Sequence, residues 1–401
     1  MYNTPDISKK RITKKILYIA SIFTSYIHYP IVKLEQDFDL KYFTYFFVNQ
    51  LSYILSKRYR KLWSRDSLSV AIDPSKYKIL KLYRLPYIRF LRWVYPHIMY
   101  HMIYRRIKNE GYHIIHVHCI EPHSIVAYKL SKKLNIPYII TEHGPEWYNA
   151  SKQPSEKQKQ KIIKKYKNAV ENAYMLIAVS GKFAESLKEY WSKANIITSN
   201  NSFDTSIFKP SMNFKADDRD NGNHKLITVG TFCPRKNHIL LLNAINILKA
   251  SYPNIHLTII GEGEMKNDYL KFVSEHQLEK FVSIKDFLPQ HVLVKEYQNS
   301  DIFVLTSLKE TFGIVILEAL ACGVNVIGSR TDGVSEIIND GVNGLIYENN
   351  NLDDLCSKIK FLLDNPDKRK ELKEQGYIKV KEFENKHYEI YVIYQNCLRH
   401  L

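Results

Sequence analysis

Residues 307–347 read SLKETFGIVILEALACGVNVIGSRTDGVSEIINDGVNGLIY. Just before them, the apolar run 302–306 (IFVLT) has the length of a buried strand, and a polar turn then leads through Gly313 into a helix expected over 314–321. The small-residue turn Ala321-Cys322-Gly323 ends that helix, and residues 325–328 (NVIG) begin another strand. Strand, helix and strand in so short a span make a parallel crossover, since parallel neighbours need a connection long enough to return the chain to the same sheet edge. The backbone N–H groups of Gly313, Ile314 and Val315 open the helix, where an α-helix leaves its amides without intrahelical partners, so they form a natural pocket for a diphosphate. Glu310 and Glu318 would stand about 12 Å apart on one helix. Because Glu310 precedes the helix, the turn can instead fold it back so that both carboxylates line one cleft, where each accepts hydroxyl hydrogen bonds from a ribose diol or a hexose.

Outward from this stretch, apolar runs of strand length alternate with helical segments. Strands are expected over 15–23, 112–118, 138–141, 175–179 and 195–198, with helices near 124–133, 155–173 and 182–190. The alternation restarts with strands over 226–230, 256–261, 281–284, 302–306 and 325–328. Between the two series lies 210–224, a polar stretch rich in Asp, Asn and Gly that suits a surface linker. The chain of 401 residues therefore reads as two α/β domains of one type, 1–209 and 225–384, with a loosely helical tail over 385–401 that packs back on the first.

Charge separates the halves. Residues 1–210 hold 35 Lys+Arg against 15 Asp+Glu, and the rest 23 against 26, so the first half carries the whole net charge of +17. A basic surface favours anionic partners such as phosphorylated acceptors, lipid headgroups or nucleic acid. Residues 41–63 (KYFTYFFVNQLSYILSKRYRKLW) combine aromatic rings with a basic end and are expected to be helical, either resting in a membrane interface or packed on the first sheet. The basic residues ahead of the apolar run 16–23 superficially resemble a signal peptide, but the run's length suits a first buried strand. Five scattered cysteines without CxxC pairs argue against a zinc site or redox centre and fit a reducing compartment. Asp218-x-Asp220 falls in the expected linker and is assigned no metal.

The Glu310-x7-Glu318 pattern with Phe312-Gly313 inside it, followed by Ala321-Cys322-Gly323, a strand and Gly333-x-x-Glu336, resembles the signature of the retaining glycosyltransferases of the GT-B fold, in particular glycosyltransferase family 4, or group 1. The resemblance implies two Rossmann-like domains with parallel sheets facing an interdomain cleft. The first domain would bind the acceptor and the second the nucleotide-sugar donor. It implies donor-binding roles for Arg235, Lys236, Phe312, Gly313, Ile314, Val315 and Glu318, with Lys236 neutralising the donor phosphates. Glu310 would orient the donor sugar, and His118 and His143, each at the end of a strand, resemble positions facing the donor sugar and the acceptor. Ile260-Gly261-Glu262-Gly263 is similar to a family turn lining the nucleotide cleft. The chain departs from the pattern at Thr231, where many relatives have Arg, at Asp286 and Asp332, where glycine is common, and in lacking a glycine-rich loop near 24–28.

The activity implied by the resemblance is transfer of a hexose-type sugar from a UDP- or GDP-sugar to a glycan or polyprenyl-linked acceptor in surface polysaccharide or lipopolysaccharide biosynthesis. The expected setting is the cytoplasm, peripheral on the inner face of the plasma membrane, with no cofactor, no metal and no nucleic acid. The alternatives are a sugar-nucleotide epimerase of the same fold and a basic membrane- or nucleic-acid-binding module.

Overall fold

The structure, a computed structural model, describes residues 14–20, 34, 37–48, 79–86, 94–144, 155–210, 223–384 and 386–400. The expected linker over 211–222, including Asp218 and Asp220, and the region 24–28 lie outside the described residues.

In chain order the first series is β1 (Lys14–Ala20), β2 (Phe38–Val48), β3 (Ile79–Pro86), α1 (Tyr95–Ile107), β4 (Ile114–His118), α2 (His123–Leu134), β5 (Tyr138–Glu142), α3 (Glu156–Glu171), β6 (Met175–Ala178), α4 (Gly181–Tyr190) and β7 (Ile196–Thr198). Its seven strands lie in the order β3-β2-β1-β4-β5-β6-β7. β1 pairs in parallel with β2 and β4, in register Lys14↔Phe38 and Ile16↔Ile114, and Ile16 to Ala20 are all buried. The run beginning at Ile16 is thus a central strand.

The helix expected over 41–63 is corrected over its first part. Residues 41–48 belong to β2, and 49–63 lie outside the described residues. Tyr42, Phe43, Thr44, Tyr45, Phe46, Phe47 and Val48 are aromatic and β-branched types, which favour a pleated surface, and pairing on both sides with β1 and β3 fixes the extended state.

The second series is β8 (His224–Val229), a 3-10 turn (Pro234–Lys236), α5 (His238–Leu248), β9 (Ile255–Ile260), α6 (Lys266–Glu275), β10 (Val282–Lys285), α7 (Gln290–Gln298), β11 (Ile302–Leu305), α8 (Ile314–Ala321), β12 (Asn325–Ser329), α9 (Asp332–Ile337), β13 (Leu345–Tyr347), α10 (Leu352–Asp364) and α11 (Pro366–Lys381), before a last helix α12 (His387–Arg399). The order β10-β9-β8-β11-β12-β13 reverses between β8 and β11, the switch point where open α/β sheets leave a crevice at the carboxyl ends of their strands. The loops after β8 and β11 both open there. Leu241 and Ile245 of α5, Leu257 and Ile259 of β9, Val304 of β11 and Ile327 of β12 fill the core beneath.

By contacts the chain forms two compact units, residues 1–141, 166–176 and 387–401 in one, and 142–165 and 177–386 in the other. Within the first, α12 brings Tyr394 to the centre of the sheet. Its hydroxyl donates to Tyr18 Oη at 2.6 Å and lies 2.6 Å from His116 Nδ1, whose Nε2 is 2.8 Å from Thr141 Oγ1. With the Tyr394 proton committed to Tyr18, His116 Nδ1 donates to Tyr394 and Nε2 accepts from Thr141, so each polar atom of this hydrogen-bonded series has a partner.

Candidate active site

The site grows from two loops of the second unit. After β8, Phe232 is fully buried and pins its loop to the turn 260–263: its N–H donates to Glu262 O at 2.8 Å, and its carbonyl accepts from Met265 N at 3.0 Å. Pro234 opens the 3-10 turn, and Asn237, in the left-handed region at φ 49°, hands the chain to α5. Asn pays little for that conformation. Arg235 and Lys236 are thereby set on a braced turn; Thr306 Oγ1 donates to Lys236 O at 2.8 Å, and Leu308 N donates to Arg235 O at 2.8 Å.

After β11, the loop 307–313 folds Glu310 back onto that turn. Lys236 Nζ lies 2.6 Å from Glu310 Oε2, Ser307 Oγ donates to the same oxygen at 3.2 Å, and Arg235 stands 3.9 Å away while donating to Lys309 O at 2.9 Å. Glu310 is only 9% exposed. Burial by itself would raise its pKa, but the Lys236 and Arg235 charges and the two hydrogen bonds outweigh that and hold it below the ordinary value. The carboxylate is fixed as an anion at neutral pH.

Gly313, at φ 89°, caps α8 in the left-handed region, which a Cβ would penalise. Ile314 and Val315 are half-buried, while Phe312 is buried against Phe383 at 5.8 Å between ring centres. Gly333 closes the floor. Its N–H donates to Glu310 O at 3.0 Å, and a Cβ there would sit 2.3 Å from Phe312 N. Gly333→Ala should therefore cost on the order of 3 kcal/mol in thermal unfolding and weaken activity with it, since neither backbone can yield freely. An unchanged melting temperature would show that the loop relaxes.

Glu318 lies on the buried side of α8, where its carboxyl accepts from Tyr297 Oη at 3.1 Å. Burial, opposed by that hydrogen bond, pushes its pKa up to about 7. The folded protein thus keeps the Glu318 proton to higher pH than an unfolded chain with its ordinary 4.5, so this group makes stability fall as pH rises from 4.5 to about 7. Glu318→Gln removes the cost, and its gain in melting temperature over the wild type should grow across that window and vanish below it. A difference that stays flat with pH would contradict the assignment.

The structure brings Arg235, Lys236 and Glu310 together at the start of α8, and sets Glu318 one turn along that helix, buried beside Tyr297. His143 is joined to the loop through its backbone: Thr311 Oγ1 donates to His143 O at 2.8 Å. Its ring is neutral at physiological pH, because burial lowers its ionisation to about 4 against the opposing hydrogen bond with Asn201. His118 belongs to the first unit, at the end of β4, stacked on His116 at 4.8 Å and on Tyr18 at 5.4 Å. Ser307, Thr311 and Tyr297 complete the site beyond the residues singled out by motif, while Gly333, which the motif contains, closes its floor. Glu336 instead caps α4, where its Oε1 accepts from Gly181 N at 2.7 Å and Lys182 N at 3.2 Å.

Two family profiles match the chain: Glycosyltransferase Family 4 over residues 53–206 and Glycosyl transferases group 1 over residues 212–379. An uncharacterized glycosyltransferase of Methanocaldococcus jannaschii is 29% identical over 319 residues, 78% of this chain and 82% of that protein. The N-acetylgalactosamine-N,N'-diacetylbacillosaminyl-diphospho-undecaprenol 4-alpha-N-acetylgalactosaminyltransferase of Campylobacter jejuni is 29% identical over 160 residues, 40% of this chain and 42% of that enzyme. Among solved structures, Anabaena HepE in complex with UDP and glucose superposes with a TM-score of 0.74 at 16% identity, over 96% of this chain and 100% of that one, and so shares the fold. Matched along most of its length by the two adjoining families, the chain belongs to the GT-B glycosyltransferases of family 4 and is a transferase enzyme.

Proposed function

We propose that the protein is a retaining hexosyltransferase that takes its sugar from a UDP- or GDP-sugar without a resident metal. The observation that carries this reading is the Lys236–Glu310 pair at the open first turn of α8. A donor diphosphate fits against the amides of Gly313, Ile314 and Val315, with Lys236 and Arg235 neutralising the charge that grows on the phosphate as the bond to the sugar breaks. Glu310, kept ionised by its surroundings, then faces the anomeric carbon as positive charge develops there, and orients the sugar hydroxyls. Glu318 takes the ribose. Neutral His143, and His118 from the first unit, serve the donor sugar and the acceptor.

The Campylobacter relative's name specifies an undecaprenyl diphosphate-linked acceptor, which supports a glycan or polyprenyl-linked acceptor here and a place in surface polysaccharide or lipopolysaccharide assembly. On this reading the enzyme works in the cytoplasm, peripheral on the inner face of the plasma membrane. No helix among the described residues is long and apolar enough to cross a membrane. Retention is tested by following the anomeric proton by NMR while the enzyme turns over an α-linked sugar nucleotide. An α-configured product is expected; a β-configured first product would exclude the retaining reading.

A further inference from the structure

The helix α12 gives the first unit one polar side chain that donor binding leaves unexplained. Tyr394 is fully buried, and Phe38 packs on its ring edge-to-face at 5.4 Å. Its hydroxyl reaches two strands that stand 376 and 278 positions away, donating to Tyr18 Oη and accepting from His116 Nδ1 at 2.6 Å each. Phenylalanine would fill the same space without desolvating a hydroxyl, and such hydrogen bonds add little net stability over an apolar core. What they add is direction.

Tyr18 and His116 are register partners on β1 and β4, with ring centres 4.8 Å apart. An imidazole left to itself turns in a broad, two-fold torsional well. Here one side of the His116 ring is bound to Tyr394 and the other to Thr141 Oγ1, so its plane is fixed. His118 follows two positions later, on the same face of the strand. Its ring stacks on His116 at 4.8 Å and 22°, and on Tyr18 at 5.4 Å and 26°. The backbone is held as well: Cys119, in the left-handed region at φ 70°, donates its N–H to Thr141 O at 2.8 Å. That conformation is strained for a cysteine, and such strain persists where the surroundings over-determine it and clusters at functional sites. These restraints converge on His118, the last residue of β4, at the carboxyl edge of the sheet where α/β folds bind ligands.

We propose that Tyr394 is a positioning residue for sugar transfer: from α12 it fixes Tyr18 and His116, and those two rings fix the His118 imidazole. The inference rests on the reading that His118 serves the donor sugar and the acceptor.

The test is Y394F, alone and in the H118A background, with hydrolysis of UDP-glucose and GDP-mannose as the turnover assay and melting curves to verify each fold. A misplacement of about 1 Å can cost about a hundredfold, so Y394F should lower kcat by roughly ten- to a hundredfold while KM for the sugar nucleotide changes far less. In H118A, which has no ring left to place, Y394F should lower kcat no further. Y18F removes one of the two bonds and is the second variant if Y394F does not fold, with a smaller loss that H118A again abolishes. The ring-proton NMR signal of His118, sharp in the wild type, should shift and broaden in Y394F, and this readout decides without a donor if neither sugar nucleotide is turned over. Unchanged kcat in a folded variant, the same proportional loss in both backgrounds, or an unperturbed His118 signal would each overturn the proposal. Full turnover in H118A would instead overturn the reading of His118 on which it rests, and the proposal with it.

Discussion

Glu310→Gln is expected to lower turnover by about 10²–10³-fold, the usual loss when one preorganised electrostatic group leaves a transition state. Donor affinity should change far less. The carboxylate is buried, held ionised and touched by Lys236, Ser307 and Arg235, so its charge is available before the reaction begins and costs no reorganisation when positive charge appears on the sugar. Glutamine keeps the shape and the hydrogen-bonding oxygen but removes that charge. Steady-state kinetics with an identified donor separate the outcomes: a fall in kcat is predicted, and unchanged kcat would remove Glu310 from the chemistry.

Lys236→Met is the second large effect. Turnover should again fall by about 10²–10³-fold, because the departing diphosphate loses its nearest cation. Stability should fall too, by about 3–5 kcal/mol, since Glu310 is left as a buried carboxylate whose remaining cation, Arg235, is 3.9 Å away. Glu310→Gln should cost less, because the long stem of Lys236 can carry its ammonium toward water. The double variant K236M/E310Q should then be more stable than K236M alone, a reversal that chemical denaturation reads directly as a coupling energy. The sign with pH is also fixed. Glu310 titrates below its ordinary 4.5, so the wild type's advantage is present above that pH and is lost as pH falls through the lower folded value.

Much of this was legible in the sequence. Strands such as β4, β5, β9, β11 and β12 are apolar runs of the right length between turn residues, and α8 announces itself between Gly313 and Ala321-Cys322-Gly323. The nearness of Glu310 to Lys236 followed only from resemblance, because 74 positions separate them and only the sheet order β8-β11 makes their loops neighbours. β2 was misread as a helix because its aromatic run has no clean alternation, and the pairing partners that decide its state are remote in sequence. Tyr297 could not have been singled out: a tyrosine on an amphipathic helix reads as core until Glu318 is found beside it. Gly333 and Glu336 stood in the motif, but their work of packing on 311–312 and capping α4 is a matter of tertiary approach.

The most direct measurement of the central claim is a thermal-shift panel of UDP-, GDP- and ADP-sugars, with and without magnesium, on the wild type and K236M. A bound donor stabilises the folded state by mass action, by about 2.7 kcal/mol at a hundredfold excess over Kd. The prediction is one sugar nucleotide that raises the wild-type melting temperature without magnesium and does so much less in K236M. Silence across the whole panel, or an equal shift in both proteins, would contradict a nucleotide-sugar site built on Lys236 and the first turn of α8.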